Sequence, residues 1–356
     1  MKKPIKWLLI AVAVILAAAL IYVGYVFITY NRIEDHQSLT PVGNGADAPA
    51  ALNTEYTVVT QNCGFGAYTA DFTFFMDGGK SSRAESRESV IRCIDGLATQ
   101  VRAEQPNFVF YQEVDTDSTR SHHVNEKFQL CQIYDGFDSV FGVNYHSAYL
   151  MYPLTEPHGK STSGILTFSD RKITGAERRS LPISKSFSKF LDLDRCYTIS
   201  RVPVENGKEL VLFNVHLSAY GGSDAIRSAQ MSMLFEDLAT EYAKGNYCVC
   251  GGDFNHDFTG DSTQLLNDVD STDYGWAQPF PAEMLPDGIR RCTAYTSDTV
   301  TATCRNCDVP YDAGTFTVIV DGFLVSENVE VTRLENIDKG FTYSDHNPVV
   351  MSFLLK

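Results

Sequence analysis

The chain of 356 residues carries 29 basic and 44 acidic side chains, a formal net charge of −15, and 44% of it is hydrophobic. That length allows one large domain or two small ones, and the apolar share is ordinary for a protein with a sizeable core. The negative balance argues against a tight, sequence-independent grip on nucleic acid, though not against a nuclease that meets its substrate through bound cations.

Lys2, Lys3 and Lys6 precede a stretch from Trp7 to Tyr30 that has no charged residue. As a helix it would span about 36 Å, enough for a bilayer core. A cleaved signal would have a shorter apolar region ending at small residues and a polar mature start. Here Ala17-Ala18-Ala19 runs on into more apolar residues. The pattern predicts an uncleaved anchor over 7–30, with 1–6 cytoplasmic. The lysines before it and Glu34-Asp35 after it place the rest of the chain outside a cell membrane as a single-pass protein. Residues 31–54 hold Pro41, Gly43, Gly45 and Pro49 with little apolar content, and read as a flexible tether. The remaining 55–356 reads as one domain.

Glu55–Asn62 alternates and is β-rich, a strand ending in a polar residue. Ser86 to Glu104 sets Val90, Ile91, Ile94, Leu97, Ala98 and Val101 on one helical face, with Pro106 beyond its end. Asn107–Glu113 is a second strand, closing on a carboxylate. Ser118–Ile133 has helical spacing, with His122-His123 as a solvated pair on it. Ser163–Ser169 is another strand. Cys196–Val204 and Glu209–Leu217 form a hairpin around Asn206-Gly207. Ser223 caps a helix running to Lys244, stopped by Gly245. Gly221-Gly222 before it suggests a substrate-side loop.

The next strand, Cys248-Val249-Cys250-Gly251-Gly252-Asp253-Phe254-Asn255, stops abruptly on polar groups. Two glycines remove side chains where the backbone must bend, and Asp253 and Asn255 then point the same way. A carboxylate beside an amide suits a metal-bound or water-bound phosphate. Acidic loops fill 257–313. Phe316–Val325 is a strand containing Asp321, Val329–Leu334 a short one, and Val349–Leu354 the last. Nine cysteines leave at least one unpaired. Cys63, Cys93, Cys196, Cys248 and Cys250 have apolar surroundings, whereas Cys292, Cys304 and Cys307 share a polar loop that predicts a disulfide or free thiols rather than zinc.

The elements add up to an α/β chain with two packed β-sheets and helices outside. Asn62, Glu113, His216, Asp253, Asn255, Asp345 and His346 fall at strand ends, and converging ends would gather them in one cleft.

The ordered set Gln61-Asn62, Gln112-Glu113, Asn214-Val215-His216-Leu217, Gly252-Asp253-Phe254-Asn255, Val320-Asp321 and Ser344-Asp345-His346-Asn347-Pro348 resembles the endonuclease/exonuclease/phosphatase, or DNase I-like, superfamily over 55–356. Each motif alone is weak; the order is specific. The resemblance implies a four-layer α/β sandwich and a phosphoric ester hydrolase that needs Mg²⁺, with Mn²⁺ or Ca²⁺ as substitutes. It implies Glu113 as the main metal ligand, helped by Asn62 and Asp345, an oxygen set that suits a hard cation. It implies His346 as base or stabiliser of the attacking water with Asp321 fixing its tautomer, Asp253 and Asn255 orienting water and phosphate, and His216 bonding a phosphate oxygen. Whether His346 or Asp253 takes the proton stays open. Arg120 and His256 are weaker candidates for substrate contact.

His256 follows Asn255 where the inositol-polyphosphate branch has an arginine, which argues against a phosphoinositide phosphatase. The expected substrate is a phosphodiester of nucleic acid, the alternative a phospholipid or sphingomyelin, and the reading of another class is a non-catalytic binding module on the same fold. The expected state is monomeric, held to the membrane by its first helix.

Overall fold

The computed structural model describes residues 3–184, 194–218, 224–267, 275–297, 300–312 and 314–356. Two seven-stranded mixed sheets lie face to face, with helices on the outer side of each. The first sheet combines Glu55–Asn62 (β3), Phe108–Asp115 (β4), Asp138–His146 (β5), Thr162–Ser169 (β6), Val329–Asn336 (β15) and Val349–Leu355 (β16) with an edge strand, Val42–Gly43 (β2). The second combines Gly175–Ser180 (β7), Cys196–Pro203 (β8), Glu209–His216 (β9), Tyr247–Asp253 (β10), Ile289–Arg291 (β11) and Asp321–Ser326 (β14) with Gln37–Leu39 (β1). Cys304–Arg305 (β12) and Thr317–Val318 (β13) form a small separate pair.

The strand pleat explains the layering. In β3, Val58 faces the core between the sheets and Val59 faces the helix side. In β4, Phe108 and Phe110 point between the sheets while Val109 and Tyr111 point to the helices. In β9, Leu212 points between the sheets, and Val211 and Phe213 reach the other helix layer. Strands apolar on both faces must be covered on both faces. Arg87–Arg102 (α2) covers the first sheet with Val90, Ile94, Leu97, Ala98 and Val101, and Ser86 caps it by accepting the Ser89 amide at 3.1 Å. Asp224–Ala243 (α4) covers the second with Met231, Leu234, Phe235 and Leu238. Asn206-Gly207 makes the expected hairpin turn between β8 and β9. The Ser223 cap and Gly221-Gly222 lie outside the described residues.

Lys3–Thr29 (α1) is long and apolar enough to cross a membrane. Several expectations are corrected. The segment 31–54 is not a free tether: β1 pairs with β7, β2 pairs with β5, and Ala50 is buried and bridges Val204. Short polar edge strands lack the alternation that marks a buried one. The helix of 118–133 begins only at Glu126 (α3, Glu126–Ile133), because Asn125 caps it, and His122 and His123 hold left-handed backbone. The strand over 316–325 breaks between β13 and β14, so Asp321 starts a strand. All nine cysteines are free, which for Cys292, Cys304 and Cys307 is the second of the two expected alternatives. Cys292 sits between the sheets and Cys307 in the helix-side core of the first sheet, so these two pack as separate small hydrophobes.

Candidate active site

Parallel pairing aligns the strand ends. Asn62 closes β3 beside β4, and His216 and Asp253 are partners at the ends of β9 and β10. Antiparallel β14 then starts with Asp321 directly opposite Asp253. Gly252 has φ +144, and a Cβ there would lie 2.1 Å from the Val215 carbonyl oxygen, so only glycine lets the strand deliver Asp253. Glu113 stands where the pairing of β4 with β6 slips between Tyr111 and Val114, and its φ of 54° turns its carboxylate out of the pleat. Beneath them, Gln112 Nε2 donates to Asn214 Oδ1 at 2.8 Å, and Asn214 Nδ2 donates to the Tyr111 and Leu166 carbonyls. This buried amide pair ties one sheet to the other directly under the site.

Asp253 Oδ2 is the hub. Asn62 Nδ2 donates to it at 3.0 Å, His216 Nε2 lies at 3.5 Å and His346 Nε2 at 3.9 Å. The same Asn62 amide lies 3.5 Å from Glu113 Oε1, and His216 Nε2 lies 3.9 Å from it. His346 Nδ1 bonds Asp321 Oδ2 at 2.7 Å. Ser344 Oγ holds the final loop in place by donating to the Asn62 carbonyl and accepting the His346 amide. Asn255 Nδ2 donates to the Leu217 carbonyl at 2.8 Å, and its backbone amide donates to Asp253 Oδ1.

Burial shapes the charges. Burial first, then the Asp321 carboxylate opposite, push the Asp253 carboxyl up to about 7. Burial opposes charge on His346, yet Asp321 and further acidic neighbours outweigh it and hold the imidazole well above the usual histidine range. Burial, with Arg195 and His346, holds His216 well below that range. A neutral His216 accepts from Asn144 Nδ2 (3.4 Å) at Nδ1, which assigns its proton to Nε2, facing the cleft. Burial and Glu113 push Asp345 up to about 6.

Two groupings bear on a cation. Ligand atoms of Asp253, Asp321 and His346 lie within 4.8 Å of one another, and Asp321 Oδ1 has no hydrogen-bond partner among the described residues. His346 Nδ1 is already committed to Asp321, however, so that trio is a hydrogen-bonded acid–imidazole pair facing a second acid. Glu113 and Asp345 offer carboxylate oxygens and repel each other, while Asn62 turns its Nδ2 toward Glu113 and Asp253 and accepts the Gly64 amide at Oδ1, 3.0 Å away, so an amide flip would be needed to add its oxygen to the set. A hard divalent cation fits that donor set and would relieve the repulsion.

The cleft above these groups is about 660 Å³ and is lined by Glu113, His216, Asp253, Asn255, Asp345 and His346 together. The eight residues expected at the site therefore meet: six line the cleft, Asn62 bonds two carboxylates at its floor, and Asp321 stands behind His346. Arg120 also lines it, but its guanidinium forks onto Asp115 at 2.9 and 3.1 Å and lies over the Phe65 ring. His256 is buried, bonds the Phe254 carbonyl and does not line the cleft. The sequence reading missed Asn144 and Arg195. The β-rich run Val140–Phe141–Gly142–Val143 was a signal for β5, which carries Asn144; Arg195 had none.

Among solved structures, the chain is similar to an endonuclease/exonuclease/phosphatase of Beutenbergia cavernae DSM 12333, at 19% identity and a TM-score of 0.57, covering 85% of this chain and 72% of that one. It is also similar to ANGEL2, a 2',3'-cyclic phosphatase, in complex with adenosine-2',3'-vanadate (12% identity, TM-score 0.55, 91% and 99% covered). The human Nocturnin catalytic domain with bound sulfate anion is a third (16%, 0.52, 89% and 98%). These likenesses establish the DNase I-like fold. No curated protein matches the chain by sequence. The family model described as the Endonuclease/Exonuclease/phosphatase family matches residues 59–346, and the chain belongs to that family.

Proposed function

We propose that this protein hydrolyses a phosphodiester with a divalent cation bound, on the outer side of the membrane that α1 crosses. The observation that carries the reading is Asp253 Oδ2, a buried carboxylate oxygen with Asn62, His216 and His346 grouped around it in one cleft. Asn62, Glu113 and Asp345 would hold the cation, Mg²⁺ in the first instance. Bound there, it supplies charge neutralisation and polarisation of a phosphate oxygen.

The chain's own residues divide the remaining work. Asp253 accepts the proton of the attacking water, and the Asn255 amide fixes that carboxylate through Oδ1. His216 Nε2–H donates to a non-bridging phosphate oxygen as charge grows on it. His346, kept protonated by Asp321, gives a proton from Nε2 to the departing alkoxide. Arg195 adds positive charge at the cleft wall.

A nucleic acid, the substrate the sequence favoured, wants cationic ground for its flanking phosphates. Two arginines lining the cleft are committed within the protein: Arg120 to Asp115, and Arg305 to the Thr69 and Phe72 carbonyls. The reaction is tested with a soluble diester, bis(p-nitrophenyl) phosphate. Hydrolysis should vanish with EDTA, return with Mg²⁺ or Mn²⁺, and fall at least about 100-fold in His346→Ala and in Glu113→Ala. Wild-type turnover in either variant would remove the mechanism.

A further inference from the structure

The outer end of α1 and the rim of the cleft are joined. Tyr22 Oη donates to the Tyr149 carbonyl at 3.1 Å and accepts the Met151 amide at 3.3 Å, and Tyr25 Oη accepts the Tyr149 amide at 3.1 Å. A bilayer core takes about 20 helical residues, so a span starting at Trp7 reaches the outer interface near Val26. Tyr22 and Tyr25 then sit in the zone where tyrosine collects at membranes, and the loop they grip lies at the same depth.

That loop is bare and apolar. Met151 is 46% exposed, Tyr152 70% and Leu154 79%, and Met76 beside them is 56% exposed. The Phe75 ring, 5.8 Å from that of Tyr152, joins Met76 to the loop. The same surface continues inward as the cleft wall through Leu150, Phe75, Phe74 and Tyr68 to Glu113 and His216. A contiguous apolar patch at bilayer depth, rimming a charged centre, fits lipid chains outside and a phosphate inside.

We propose that the cleft opens onto the bilayer and takes its phosphodiester from a membrane lipid. This rests on the hydrolase reading above. The lipid's chains stay in the bilayer against Met151, Tyr152 and Leu154 while its head-group phosphate reaches Asp253. The water oxygen forms a bond to phosphorus and the bond from phosphorus to the lipid alcohol's oxygen breaks. One water proton goes to Asp253, and the alkoxide takes one from His346. The lipid alcohol remains in the bilayer and the phosphorylated head group is released. The acidic surface, which repels polyanions, is compatible with a zwitterionic lipid.

The test uses the full chain reconstituted with Mg²⁺ into vesicles of phosphatidylcholine, phosphatidylglycerol or sphingomyelin. Release of phosphorylated head group is compared with hydrolysis of bis(p-nitrophenyl) phosphate and of a DNA oligonucleotide. One lipid should be cleaved, and Met151→Ser with Leu154→Ser should lower that rate at least about 10-fold while leaving the soluble diester within about two-fold. Both side chains are exposed, so the variant should fold. Intact lipids beside a cleaved soluble diester would overturn the lipid proposal and leave the hydrolase reading standing. Cleavage of DNA alone would put nucleic acid in the lipid's place. Equal loss on every substrate would show the rim is structural and would also overturn it. No cleavage of anything would remove both readings.

Discussion

Asp321→Asn isolates what the acid behind His346 contributes. The substitution keeps the volume and removes one charge from a buried pair whose Nδ1–Oδ2 distance is 2.7 Å. A hydrogen bond to a charged partner is worth about 1.5–3 kcal/mol, so kcat/KM should fall roughly 10- to 100-fold. The fall would exceed that range if the amide donates to Nδ1 and turns the imidazole to the wrong tautomer. The pH profile carries a second, independent signature. Asp253 must be ionised to accept a proton, so activity should rise as pH passes through about 7 in the wild type. Asp321 is the largest charge pushing that carboxyl up, so its loss should move the acid limb to lower pH. It is also the largest charge holding His346 protonated, so the alkaline limb should move the same way. Initial rates on bis(p-nitrophenyl) phosphate across pH, with the denaturant midpoint as a control for folding, read both effects. A profile superimposable on the wild type, with kcat/KM within about three-fold, would refute the assigned roles.

Asn62→Ala should lower kcat/KM about 10- to 100-fold and raise the Mn²⁺ concentration for half activity, because one amide spans Asp253 and Glu113; an unchanged metal titration would count against its place among the ligands. Gly252→Ala should destabilise by more than about 3 kcal/mol, or fail to fold, since its Cβ would meet a backbone oxygen at 2.1 Å. Denaturant titration reads this, and a loss under about 1 kcal/mol would contradict it. Glu126 is buried beside Asp115, and burial first, then that neighbour, raise its carboxyl well above 4.5. A raised carboxyl favours the fold below its unfolded value and loses that advantage as pH climbs toward its folded one. Glu126→Gln should therefore leave stability near pH 4 unchanged and raise the denaturant midpoint at pH 8; the opposite order would contradict the burial argument.

Asn62, His216 and Asp253 were legible as strand ends because each interrupts an apolar run, whereas Glu113, expected to close its strand, sits at a bulge inside β4, which runs on to Asp115. Gly251-Gly252 announced a close approach inside β10, where side chains do not fit. The amphipathic α2 was legible for the same reason, with five of its six expected apolar positions buried and Ile91 partly so. The failures have a different physics. β1 and β2 are too short and too polar to carry a period, and they order only because β7 and β5 present free edges. His122 and His123 have helical neighbours in sequence, but Asn125 offers the better cap and the chain turns before it. Arg120 was a fair candidate for a substrate phosphate; the presence of Asp115 five residues earlier, folded against it, is a tertiary fact. The role of Asn144 in fixing the His216 tautomer likewise depends on a neighbour 72 residues away. The pairing of the final loop with β12, which sets His346 beside Cys304, has no local trace at all.

Hydrolysis of a phosphodiester in ¹⁸O-labelled water with Mg²⁺ tests the central claim most directly. Water attack on phosphorus at Asp253 predicts the label in the phosphate monoester and an unlabelled alcohol. Label in the alcohol, or no hydrolysis by the cation-loaded protein, would contradict the account.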